Sequence, residues 1–205
     1  MTTNENPFWR FSLAVYGEPG VAEACLSLQD SDVPDRLERD RHALDVNLLL
    51  FCCWAGRCGR RLNSTDMAAL IAAAEPWQRE VVRPLRGVRR SLKIYEATAG
   101  AAAERLRAEV KAQELEAERL EQALLHAALP LTETSPAPSA AIANLQLYFI
   151  QAGRLPDMND FADLAGLVTA AFRDIVPPLN ALWQLQDWPE PDPSRTASEA
   201  VVEPA

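Results

Sequence analysis

From Val46 to Gly56 the chain reads VNLLLFCCWAG without a single charged residue. The surrounding segment 43–57, ALDVNLLLFCCWAGR, wound at about 100° per residue, is apolar on nearly every face. Such a helix must be covered on all sides by other elements. It is far too short to cross a bilayer, so the cover has to come from the rest of the chain. That cover reads as helical too. Alanine and leucine dominate, and alternating Val/Ile/Thr runs are missing. The expected fold is all-α: a helical bundle with a long C-terminal helix and a small helical extension.

Punctuation places the other helices. Asn6-Pro7 is a capped start, with Pro at the first helical position, and Gly17 is the stop. Pro19 opens a second helix that ends at Asp30-Ser31-Asp32. Pro34 precedes a charged stretch (35–45), read as a loop or the exposed start of the third helix. Ser64 or Thr65 caps a fourth helix, and Pro76 starts a basic one that Pro84 and Gly87 kink. Residues 94–129 read as one long helix. Leu106, Val110, Gln113, Ala117, Leu120 and Leu124 repeat along it in alternating four- and three-residue steps, a coiled-coil-like seam that suits a hairpin or a homodimer. The division expected is a bundle over 1–129, a linker over 130–140 (PLTETSPAPSA), a helical extension over 141–188 that includes a last turn in LNALWQLQDW, and a proline-rich, disordered acidic tail over 189–205.

Within this acidic protein, net charge −9, one stretch has the opposite sign. Residues 77–93 carry six basic groups and one acidic. On a helix Arg79, Arg83, Arg86, Arg90 and Lys93 fall within about 80° of one another, with Val81, Leu85, Val88, Leu92 and Tyr95 opposite. The expectation is a cationic face turned outward and an aliphatic face turned in. With Arg89, these side chains suit a phosphate, an acidic peptide or a nucleic-acid backbone. Solvation, or pairing with Glu104, Glu109, Glu114 and Glu118 of the next helix, accounts for them equally well. Nucleic acid is the weaker version, because a small positive island in a −9 molecule offers few phosphate contacts.

The segments FWRFSLAVYGEPGVAEACLSLQD, DVNLLLFCCWAG, WQREVVRPLRGVRRSLK and KAQELEAERLEQ, spread over residues 8–127, resemble a family of small all-helical bacterial proteins of unknown function. The resemblance implies no catalytic residue, cofactor or ligand. The stretch between Asp30 and Asp45 is longer here than the family pattern, and the chain after Pro130 is an extension beyond it.

Other candidate chemistry is sparse. Asp45 and Asn47 are the polar exceptions at the head of the apolar helix. They suit either a helix cap with a buried ion pair to Arg83 or Arg86, or a polar pocket with Asp45 as anchor. Gln29-Asp30 has the same two readings. Trp9, Trp54 and Trp77 suit the core, or, clustered beside the arginines, an amphipathic pocket for an anionic ligand. His42 and His126, the only histidines, lie in no metal-ligand spacing, and neither do the four cysteines. No phosphate loop or nucleophile elbow occurs around Ser27 or Ser91. Buried reduced thiols and the lack of a signal-like N-terminus point to the cytoplasm. The function expected is therefore non-enzymatic, without metal or cofactor: a module that docks an acidic protein partner, or an acidic helix of its own, on the basic helix. A ligand-binding or catalytic bundle with Asp45, Asn47, Trp54 and Trp77 in its pocket is one alternative. A nucleic-acid- or ribosome-associated accessory is the other.

Overall fold

The computed structural model describes residues 6–29 and 44–175. The charged stretch with His42, the last turn expected in LNALWQLQDW and the tail over 189–205 lie outside the described residues. In chain order the elements are α1 (Pro7–Tyr16), α2 (Val21–Gln29), α3 (Val46–Arg57), α4 (Ser64–Trp77), a π-helical turn (Gln78–Val82), α5 (Arg83–Ala99), α6 (Ala101–Ala128), α7 (Pro138–Gln151) and α8 (Met158–Ala171). The fold is all-helical, with no strand among the described residues.

α3 is the axis. Every residue from Asn47 to Gly56 is buried, and α1, α2, α6, α7 and α8 pack around it. α7 presses closest. Gly56 meets the backbone of Ala141, where a Cβ would collide, so glycine is required for the two helices to touch. Asn144 of α7, fully buried, fastens the exit of α3: it donates to the carbonyls of Cys52 (3.2 Å) and Arg60 (3.0 Å) and accepts from the Leu62 N–H at 2.8 Å. The proline-rich segment before α7 lies on the end of α3, where the Ala137 N–H donates to the Gly56 carbonyl (2.8 Å) and the Thr134 hydroxyl to that of Cys58.

Ile142, Leu145 and Phe149 of α7 and Leu164, Leu167 and Val168 of α8 join Phe8, Leu28 and Phe51 in one apolar cluster. Each such side chain contributes about 1.5–3 kcal/mol by leaving water. Arg154, buried between α7 and α8, donates to the Leu28 carbonyl (2.7 Å) and pairs with Asp160, tying this part of the chain to the end of α2. No helix among the described residues is long and apolar enough to cross a membrane.

Four local expectations are corrected. The cap of α4 is Asn63, in a reciprocal capping box with Asp66, rather than Ser64 or Thr65. α4 runs through Pro76 instead of breaking there, because Trp77 and Gln78 are held on α6 by hydrogen bonds to Ala117 and Glu121. The irregularity lies ahead of Pro84 and Gly87, in the π-turn, where the Arg83 N–H reaches back to the Gln78 carbonyl. Pro84 has no N–H and its ring crowds the carbonyl four residues before it, which a widened turn relieves. Finally, residues 94–129 are not one helix. α5 ends at Ala99, and Gly100, at φ +58°, reverses the chain into α6.

The seam on α6 is displaced as well. Leu106, Leu120 and Leu124 are exposed, and the buried positions are Ala103, Glu114, Ala117, Glu121, Gln122 and Leu125. Half of these buried positions are thus polar, which is what positions the candidate site.

Candidate functional site

α5 and α6 form an antiparallel hairpin joined by charge. α5 has no buried residue over its 17 positions. Arg86 donates through Nε to Glu114 and through Nη2 to Glu118, both at 3.0 Å, and is only 12 % exposed. Arg89 also pairs with Glu114, and nearer the Gly100 turn Arg107 donates to Glu96 at 2.8 Å. Burial pushes the Glu114 carboxyl up, but the hydrogen bonds from Arg89 and Arg86 outweigh it and hold Glu114 below the ordinary carboxylate range. Glu118 goes the other way, burial raising it against the pull of Arg86.

The expected two faces are found in part. Arg79, Arg83, Arg90 and Lys93 are exposed and Val81, Leu85 and Leu92 half-buried, but Val88 (50 %) and Tyr95 (59 %) are exposed and Arg86 turns toward α6 together with Arg89. The π-turn inserts extra backbone, so everything downstream rotates relative to α4. Glutamates at the buried positions of α6 then suit guanidinium groups better than leucines.

At the base of the hairpin lies a buried polar cluster built from α3, α6, α7 and the π-turn. Asp45 caps α3, accepting the Asn47 N–H on Oδ1 at 2.8 Å, and its own N–H donates to the Tyr148 hydroxyl at 2.8 Å. Asn47 Nδ2 and Gln78 Nε2 each donate to Glu121 Oε2 at 2.7 Å, and Gln122 Nε2 donates to Asn47 Oδ1 at 2.7 Å. Burial, and next the charge of Asp45, push the Glu121 carboxyl up to about 10. Asp45 is itself raised by burial, and Tyr148 is raised by burial together with the charge of Asp45. No group of three or more His, Cys, Asp or Glu side chains that could hold a metal ion is found among the described residues.

The sequence-chosen residues divide accordingly. Arg79 pairs at the surface with Glu75 (3.6 Å) and Glu80 (2.8 Å), and Arg83 approaches Glu75 at 3.7 Å. Arg90 and Lys93 are exposed. Asp45 and Asn47 meet in the polar cluster. Trp54 packs elsewhere, its ring centroid 5.3 Å from Phe11 and stacked on Phe8 at 6.5 Å. Trp77 donates its indole N–H to the Ala117 carbonyl at 3.0 Å. Sequence reasoning missed Gln78, Glu121, Gln122 and Tyr148. Nothing local marked Glu121 among the many glutamates of α6, nor Tyr148, which reaches Asp45 across 103 positions.

Against known proteins, the family described as "Protein of unknown function (DUF2390)" matches residues 7–125. No curated protein and no solved structure matches the chain.

Proposed function

Because the chain belongs to the DUF2390 family of proteins of unknown function, we propose on the geometry alone that it is a non-enzymatic interaction module whose α5–α6 hairpin docks an acidic partner protein. One observation carries this reading: α5 lends no residue to the core, yet it combines exposed Val88, Ile94 and Tyr95 with exposed Arg83, Arg90 and Lys93. Arg105 and Lys111 of α6 are exposed too. Apolar area gives a partner something to bury, and cations select an acidic one. A protein surface fits this better than nucleic acid does. Arg86 and Arg89 are already engaged by glutamates, so fewer cations are left for phosphates. The four cysteines, all buried and free, support a reducing, cytoplasmic setting.

The test is affinity capture with the native protein against a variant carrying Arg83→Glu, Arg90→Glu and Lys93→Glu, with bound proteins identified and salt varied. Arg86 and Arg89 are left alone because changing them would loosen the hairpin itself. The expected result is loss of the same acidic proteins in the variant and in high salt, with helicity kept. Capture unaffected by either change would refute the docking role.

A further inference from the structure

The polar cluster at the base of the hairpin has an imbalance between donors and acceptors. Asp45 Oδ1 takes the Asn47 N–H, and Glu121 Oε2 takes two amide hydrogens, from Asn47 and Gln78. The second Asn47 amide hydrogen faces the Glu118 carbonyl at 3.5 Å, and the Gln122 amide is committed to Asn47. This leaves Asp45 Oδ2 and Glu121 Oε1, both buried and without a donor, on two neighbouring carboxyls that Asn47 bridges, its N–H on Asp45 and its side-chain amide on Glu121. Two ionised carboxylates have no hydrogen to share. One must be present.

We propose that Asp45 and Glu121 form a one-proton acid pair, a latch that ties the head of α3 to α6 and opens when the proton is lost. Nothing in this depends on what the hairpin docks. The surroundings favour a single negative charge on the pair. α5 supplies Arg86, whose charge favours ionised Asp45; α6 adds Glu118, which disfavours a second negative charge; α7 brings the Tyr148 hydroxyl, with Cys52 of α3 nearby. The π-turn contributes the neutral Gln78 amide, and α1 the neutral Asn6 amide on the Gln122 carbonyl. Burial and the neighbouring Asp45 charge hold the Glu121 proton up to about 10. Losing it would place two adjacent negative charges in the interior, an arrangement relieved by parting α3 from α6. Gln78 hangs on the same Glu121 carboxyl, so the π-turn at the root of α5 would be released with it.

The experiment is urea unfolding of the full chain between pH 7 and 8.5, wild type against Glu121→Gln, with carbon-13 NMR of the side-chain carboxyls of the wild type. In that window the unfolded Glu121 is ionised and the folded one protonated, so the unfolding constant should rise by about tenfold per pH unit. The buried thiols, Cys25 pushed up to about 12, Cys58 to about 11 and Cys52 and Cys53 raised as well, act in the same direction in both proteins, so Glu121 is read from the difference between the two slopes. Glutamine carries its hydrogen permanently, so the variant's slope should be shallower by about tenfold per pH unit. Equal slopes in the two proteins would overturn the latch. If the variant does not fold, the wild-type spectrum decides: a protonated Glu121 carboxyl at pH 7 supports the pair, and two ionised carboxylates refute it.

Discussion

The two halves of this molecule are held by different forces. Around α3, helices meet through fully buried Phe51, Leu145, Phe149 and Leu164, and Gly56 closes the distance to Ala141. In the hairpin, α5 has no fully buried residue and is held along α6 by Arg86, Arg89, Glu114 and Glu118. Apolar burial is insensitive to salt and pH; partly exposed ion pairs depend on both. The core should therefore open only globally, and the hairpin locally and first. A docking element can be loosely attached in this way without endangering the fold.

The sharpest way to break this contrast is to damage each half in turn. Phe149→Ala, at a fully buried position of α7, should cost about 3–5 kcal/mol of global stability, read as a lowered urea midpoint with every probe moving together. Glu114→Ala strands two inward arginines. The expected cost is smaller, about 1–3 kcal/mol. It should appear as faster amide exchange confined to α5 and the first half of α6, with the midpoint for α3 nearly unchanged. If Glu114→Ala lowered the global midpoint as much as Phe149→Ala does, the two halves would be one cooperative unit.

Acid provides a gentler probe of the same boundary. Glu114 is held below the ordinary carboxylate range when folded, so in the folded state it binds its proton more weakly than in the unfolded one. Its contribution is present in full above about pH 5 and declines as pH falls through the depressed value. Hairpin amides should lose protection below about pH 4, before those of α3 and α7, and added salt should enlarge the difference. Simultaneous loss in both regions would contradict it.

Some of this division was legible in the chain itself. Ten successive buried residues on α3 follow directly from an uncharged run, because burial on every face leaves no phase to misjudge. Asn6-Pro7 likewise opens α1 as its capping chemistry requires, and the helix ends at Gly17, though in a right-handed backbone rather than a glycine turn. The hairpin was harder to read because periodicity assumes an unbroken helix. The π-turn changes the phase between α4 and α5, so Arg79 and Val81 lose register with the residues of α5, and within α5 the glutamates of α6 draw Arg86 and Arg89 inward. Leu106, Leu120 and Leu124 form a plausible seam by hydrophobicity, yet α6 turns Glu114, Glu121 and Gln122 inward because their partners, Arg86, Arg89, Asn47 and Gln78, lie on other elements. Asp45 and Asn47 were identifiable as polar residues in an apolar setting. Their partner Glu121 was not, since nothing in its own neighbourhood distinguishes it from the six other acidic residues between 94 and 129.

The smallest expected effect isolates the hairpin most cleanly. Gly87 lies in mid-α5, exposed, and a Cβ built on it meets nothing within 4 Å. It lies inside a helix and is not among the glycines with positive φ, so alanine fits the existing backbone. The substitution adds no contact and removes none. It acts by reducing the freedom of the unhelical chain and raising helix propensity, together about 0.5–1 kcal/mol. Where α5 opens on its own, that gain should appear as roughly two- to fivefold slower amide exchange along α5, with little change at α3. A rise in global midpoint with no selective protection of α5 would mean that the helix unfolds only together with the core, and the distinction between a rigid body and a loosely attached arm would fail.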